Sequence, residues 1–260
     1  MNVQLAFLIT LMSGLATGIG ALIAFWGKKE NTLFLSVSLG FSAGIMIYLS
    51  FMEILPVSIE MSSKKLTCLG FFIGAFVIGM IDKMIPNNEN PHEFYHRQSD
   101  LKQLRTPYIH RHLLKTAIFT ACAIAIHNFP EGFATFVSLL EQPQIGIGIA
   151  IAIAFHNIPE GIAVSVPIFY ATSSRKKAFC YSFLSGLSEP LGALIGYLIL
   201  RPFLSTAVMG ITLSATAGIM IYIALDELLP TARRYSQNHF VIFSVFFGMV
   251  VAAVGLWGMP

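Results

Sequence analysis

The sequence predicts an all-α, polytopic membrane protein of eight transmembrane helices, in which helices 1–3 and 6–8 form an inverted repeat around a central pair, helices 4 and 5. Three observations lead there. The 260 residues are 55% apolar and only 11% charged, where a soluble domain carries roughly a quarter charged. The apolar residues fall into successive runs about as long as a membrane crossing. Two sequence elements then occur twice. A crossing of a hydrocarbon core roughly 30 Å thick takes about 20 residues, so a chain of this length holds about eight. Residues 1–260 are expected to form one integral membrane transport domain.

The elements follow from charge, proline and polar punctuation of the apolar runs. The first span covers about 4–26. It has no basic region ahead of its apolar run and carries Lys28 and Lys29 after it, the pattern of a retained helix rather than a signal peptide. The second covers about 32–56, closing at Pro56, and the third about 66–84. The polar segment from Pro86 to Leu113, with His92, His96, His110 and His112, is expected to be a flexible cytoplasmic loop. The remaining spans are expected at about 114–139, 144–170, 177–200, 206–229 and 239–258. Cys68, Cys122 and Cys180 all fall within spans and are odd in number, so they imply core packing and no disulfide framework.

Charge placement orients the chain. Of 16 Lys and Arg, 13 lie in the first, third, fifth and seventh loops: Lys28, Lys29, Lys83, Arg97, Lys102, Arg105, Arg111, Lys115, Arg175, Lys176, Lys177, Arg233 and Arg234. The positive-inside rule then puts both termini on the non-cytoplasmic side. A net charge of +3 spread over loops implies no nucleic-acid partner.

The first repeated element is AGIMIYLSFMEILP at Ala43–Pro56, which returns 174 residues later as AGIMIYIALDELLP at Ala217–Pro230. The copies lie in the second and seventh spans, which run in opposite directions, so the repeat is inverted, a common construction in secondary transporters. The second element is AIHNFPEGFA at Ala125–Ala134 in the fourth span and AFHNIPEGIA at Ala154–Ala163 in the fifth. Adjacent spans are antiparallel, so the two copies should meet at one depth near the bilayer centre.

At about 100° per residue, His127, Asn128 and Glu131 share one helix face, as do His156, Asn157 and Glu160. A carboxylate at the bilayer centre costs about 2.5 to 3.5 kcal/mol, and a bound dication is its natural partner. Imidazole nitrogen with carboxylate oxygen suits Zn²⁺ and its first-row neighbours, whereas Ca²⁺ and Mg²⁺ favour denser oxygen cages. Pro130 and Pro159 cannot donate to Ile126 and Phe155, so each helix should bend or loosen beside these residues. Gly132 and Gly161 allow close helix approach. Glu189, halfway along the sixth span and followed by Pro190, is a third candidate carboxylate.

With its two His-Asn-x-Pro-Glu-Gly motifs, the chain resembles the ZIP (Zrt- and Irt-like) family of divalent metal transporters, most closely the family's bacterial zinc-uptake branch. The resemblance covers nearly the whole chain. It implies a two-metal site, one ion held by His127, Glu131, His156 and Glu160, the other by Asn128, Glu131, Asn157, Glu160 and Glu189, with the glutamates bridging. It also implies uptake of zinc chiefly, with Fe²⁺, Mn²⁺ and Co²⁺ as further cargoes. Metal is then bound and transported, and no prosthetic group is expected. Implied too are a bacterial inner membrane and, as candidate partners besides metal and lipid, a second copy of the chain. The third-loop histidines match the family only in kind and read equally well as solvated loop.

Glu53 at the external mouth of the path and the pair Asp226 and Glu227 at the cytoplasmic mouth are candidate gates, or else helix-terminal charges at the lipid interface. The rival to transport is an intramembrane zinc-dependent hydrolase, in which the same ligands would activate water. The sequence contains no His-Glu-x-x-His segment, and its ligand set is duplicated as transport sites often are. A non-enzyme is therefore expected.

Overall fold

The computed structural model describes residues 1–24, 32–84, 107–200, 205–235 and 239–257. Every regular element among the described residues is a helix. In order they are α1 (Val3–Ala24), α2 (Thr32–Leu49, continuing through Ser50–Ile54 into Leu55–Met61), α3 (Lys64–Met84), α4 (Pro107–Glu141), α5 (Pro143–Thr172), α6 (Arg175–Gly186 and Ser188–Leu200), α7 (Thr206–Ile223, continuing through Ala224–Leu228 into Leu229–Tyr235) and α8 (Phe240–Trp257). Six stretches among the described residues are long and apolar enough to cross a membrane, and Phe240–Leu256 is apolar but shorter.

Junction chemistry explains the boundaries. Gln142 alone separates α4 from α5, with Pro143 opening the second helix where a missing N–H costs nothing. So short a link turns the two helices antiparallel and sets their motifs side by side. Ser173 ends α5 in the left-handed region at φ 52°, and the Ser174 hydroxyl caps α6 by accepting from the Lys177 N–H at 3.3 Å. Ser205 caps α7 in the same way through Val208.

Three boundaries differ from the sequence reading. Helix α4 begins at Pro107, so residues 107–113, including the backbone of His110 and His112, are its first turns rather than the end of a polar loop. His92 and His96 lie outside the described residues. Helices α2 and α7 do not close at Pro56 and Pro230 but run on to Met61 and Tyr235. The reason is a π-helical turn just before each proline, Ser50–Ile54 in α2 and Ala224–Leu228 in α7, marked by Leu55 N–H bonding to Ser50 O and Leu229 N–H to Ala224 O. A proline in an α-helix lacks a donor and crowds the carbonyl four residues back. Widening the preceding turn relieves that crowding, and the helix continues.

Packing repeats at the same spacing as these turns. Gly44 of α2 lies so close to α8 that a Cβ would strike the Val245 carbonyl, and Gly218 of α7 lies equally close to the Phe71 carbonyl of α3. Both partners in the second contact are 174 residues from their counterparts in the first. Gly74 against Ala215 and Gly248 against Phe41 are related in the same way. Helices α2 and α8 thus pair, as do α3 and α7. Helices α1, α4, α5 and α6 pack together between these pairs, with Gly132 of α4 under the Glu189 carbonyl and Gly161 of α5 under the Thr17 carbonyl. The outer faces of α3 and α8 expose Phe72, Phe76, Phe243, Phe246 and Phe247, an apolar surface fit for lipid.

Candidate metal centre

The polar residues of this fold concentrate where α4, α5 and α6 meet. His127, Asn128, Glu131, His156, Asn157, Glu160 and Glu189 are each at most 1% exposed. Both prolines sit within continuous helix, so α4 and α5 carry their His and Glu on one face across Pro130 and Pro159. The pairs cross between helices. His127 Nε2 lies 3.2 Å from Glu160 Oε1 with hydrogen-bond geometry. His156 Nε2 lies 3.1 Å from Glu131 Oε1, at ion-pair distance but off the direction a hydrogen bond needs. Each helix therefore offers a base to the other's carboxylate, as two copies related by a two-fold would.

The asparagines reach outward to the flanking helices. Asn128 Nδ2 donates to the Ser185 carbonyl of α6 at 3.4 Å, and Asn157 Nδ2 donates to the Ser13 carbonyl of α1 at 3.0 Å. Asn157 also donates to Glu189 Oε1. Glu189 sits in the first turn of the second segment of α6, within electrostatic reach of Glu131 and Glu160. Helices α4, α5 and α6 each bring buried polar side chains to this centre.

Most of what these seven residues leave unpaired accepts hydrogen bonds. His127 Nδ1, His156 Nδ1, Asn128 Oδ1, Asn157 Oδ1, Glu131 Oε2, Glu160 Oε2 and Glu189 Oε2 are buried with no hydrogen-bond partner among the described residues. Five of these seven atoms are oxygens that can only accept. A buried acceptor without a donor costs about 1 to 3 kcal/mol, so the centre calls for something positive. Among the described residues no three His, Cys, Asp or Glu side chains already converge on one metal position. The histidines and glutamates are instead occupied with each other, and an ion would enter by replacing those contacts.

The candidate gates lie deeper than helix ends. Glu53 is half-buried inside the π turn of α2, and Glu227, 6% exposed, lies inside that of α7 with the partly buried Asp226 beside it. Each glutamate is followed by eight further helical residues, roughly 12 Å of helix at 1.5 Å per residue. The expectation that these glutamates end their helices is therefore corrected: both helices continue past them. Glu227 is within electrostatic reach of His127, Glu160, Asp226 and Asp82. The sequence reading missed Asp82, in the last turns of α3; the signal was a lone carboxylate closing an apolar run.

A profile described as ZIP Zinc transporter matches residues 83–255. The chain belongs to that family. Relatives named zinc transporter ZupT match along nearly their whole length. The protein of Clostridium perfringens (strain 13 / Type A) is 53% identical, with 98% of this chain and 96% of the relative covered. That of Chlorobium chlorochromatii (strain CaD3) is 53% identical over 98% and 97%. That of Oceanobacillus iheyensis is 54% identical over 98% of each chain. Both His-Asn-x-Pro-Glu-Gly motifs fall inside the residues that the ZIP profile matches.

Proposed function

We propose that this ZIP family protein takes up divalent transition-metal ions across a membrane, chiefly zinc, through a two-metal site built on α4, α5 and α6. The observation that carries the reading is the surplus of buried, unpartnered acceptor atoms on two reciprocal His and Glu sets. His127, Glu131, His156 and Glu160 would hold one ion, and Asn128, Glu131, Asn157, Glu160 and Glu189 its neighbour. Fe²⁺, Mn²⁺ and Co²⁺ share the same preference for mixed nitrogen and oxygen ligands and are proposed as further cargoes. The relatives are named as transporters, and nothing in the geometry favours the hydrolase reading.

The architecture proposed is a single domain of eight spans with α1–α3 and α6–α8 as an inverted repeat. The 174-residue spacing of the π turns and of the glycine contacts supports it. The charge distribution supports an inner-membrane protein with both termini outside, and the apolar faces of α3 and α8 leave room for a homodimer. Glu53 is proposed as the outer gate, and Asp226 with Glu227 as the inner one.

The deciding experiment is zinc flux into sealed vesicles containing the purified protein, with the same samples assayed for hydrolysis of peptide and ester probes. The parent should carry zinc and yield no hydrolytic product, and Glu131→Ala should insert normally but lose high-affinity uptake. Near-parental uptake by well-inserted Glu131→Ala would remove Glu131 from the site.

A further inference from the structure

Helix α1 lines this centre, and its sequence carries a further repeat. Ser13–Ile23, SGLATGIGALI, matches Ser185–Ile195, SGLSEPLGALI, 172 residues on, with Ser-Gly-Leu and Gly-Ala-Leu-Ile identical. Three sets of contacts obey the alignment. The Ser13 carbonyl accepts from Asn157, and the Ser185 carbonyl accepts from Asn128. A Cβ on Gly14 would meet the Gly186 carbonyl and the Glu189 Cβ, while one on Gly186 would meet the Gly14 carbonyl and the Thr17 Cβ. Gly161 lies under the Thr17 carbonyl as Gly132 lies under that of Glu189. By each measure, Thr17 holds in α1 the place that Glu189 holds in α6.

The two halves of the centre therefore differ at one ligand position. On one side Asn157 donates to the Glu189 carboxylate. On the other, Thr17 supplies a neutral hydroxyl on a shorter side chain. Thr17 Oγ1 and Asn128 Oδ1 are both buried, with no hydrogen-bond partner among the described residues. They flank the same stretch of α6, Asn128 at Ser185 and Thr17 at Gly186.

We propose that Thr17 is a specificity-determining residue, whose hydroxyl with the Asn128 carboxamide oxygen holds a water ligand of the metal ion in the half of the centre that lacks a counterpart of the Glu189 carboxylate. This rests on the metal-site reading above. The charge count of a site tunes how tightly it holds a cation, and a transported ion must bind well enough to enter yet weakly enough to leave. A carboxylate at position 17 would make the two halves alike and the well deeper. A hydroxyl keeps one coordination position filled by exchangeable water, so the ion is bound without being trapped.

The test is zinc uptake kinetics in vesicles, with manganese as competitor, for Thr17→Val, Thr17→Ser, Thr17→Glu and the control Glu131→Ala. Thr17→Val, the same size without the hydroxyl, should raise KM for zinc about tenfold with little change in maximal rate, and should alter the zinc to manganese ratio. Thr17→Ser should restore both. Thr17→Glu should lower KM and slow maximal uptake about tenfold. Parental KM and selectivity in Thr17→Val overturn the proposal, as does a Thr17→Ser variant as impaired as Thr17→Val, since the defect would then be one of packing. If Glu131→Ala loses uptake while Thr17→Val is parental, only the Thr17 assignment fails. If Glu131→Ala takes up zinc like the parent, the metal-site reading fails with it.

Discussion

Replacing Glu160 by glutamine isolates charge from shape at the centre of the site. Glu160 is fully buried; one oxygen accepts from His127 Nε2 at 3.2 Å and the other has no partner among the described residues. Glutamine keeps an oxygen for His127 and nearly the same volume, so folding should change little. Metal capture should change greatly. A charge-assisted interaction is worth about 1.5 to 3 kcal/mol, and Glu160 is proposed as a ligand of both ions, so about 3 kcal/mol or more should be lost. At tenfold per 1.4 kcal/mol, uptake at limiting zinc should fall by at least about two orders of magnitude. Glu160→Ala should lose uptake too and also lower thermal stability, because it leaves both nitrogens of buried His127 without a partner. The assay is initial zinc uptake well below saturation, normalised to inserted protein. Glu160→Gln within about threefold of the parent would refute the bridging role.

Orientation and gating are tested separately. In a background without Cys68, Cys122 and Cys180, cysteines at Asn2 and Ser63 should react with an impermeant thiol reagent from outside, and one at Ser173 should not; all three positions are exposed. The reverse pattern would invert every helix. Glu53→Gln should weaken capture of external zinc severalfold at low concentration while leaving release unchanged. Glu227→Gln, at a position in reach of His127, should slow release to the cytoplasmic side severalfold with central-site affinity retained. Parental transport at limiting zinc in both variants would remove the gates.

Much of the fold was legible because lipid as solvent leaves few options. Backbone polar groups in hydrocarbon must bond within their own segment, so apolar runs of sufficient length become helices, and their order follows from charge and proline. The buried polar centre was legible because ionisable residues are expensive in a membrane and these came as two copies of one motif. The prolines misled: Pro56 and Pro230 end helices by rule, yet here each follows a π turn that absorbs it. No spacing of apolar residues announces such a turn.

Sequence by itself determined that His127, Asn128 and Glu131 share a helix face, as their copies do, since helical periodicity and motif duplication are properties of the chain. Tertiary structure decided how they pair. That His127 faces Glu160 and His156 faces Glu131, rather than each resting on its own helix, depends on the antiparallel register set by the link at Gln142. That α1 joins the centre through Ser13 and Thr17 depends on Gly161 and Gly186 admitting it to backbone contact. Close approach of two helices is a relation between distant segments, and the apolar pattern of either one alone is the same whichever neighbour it meets.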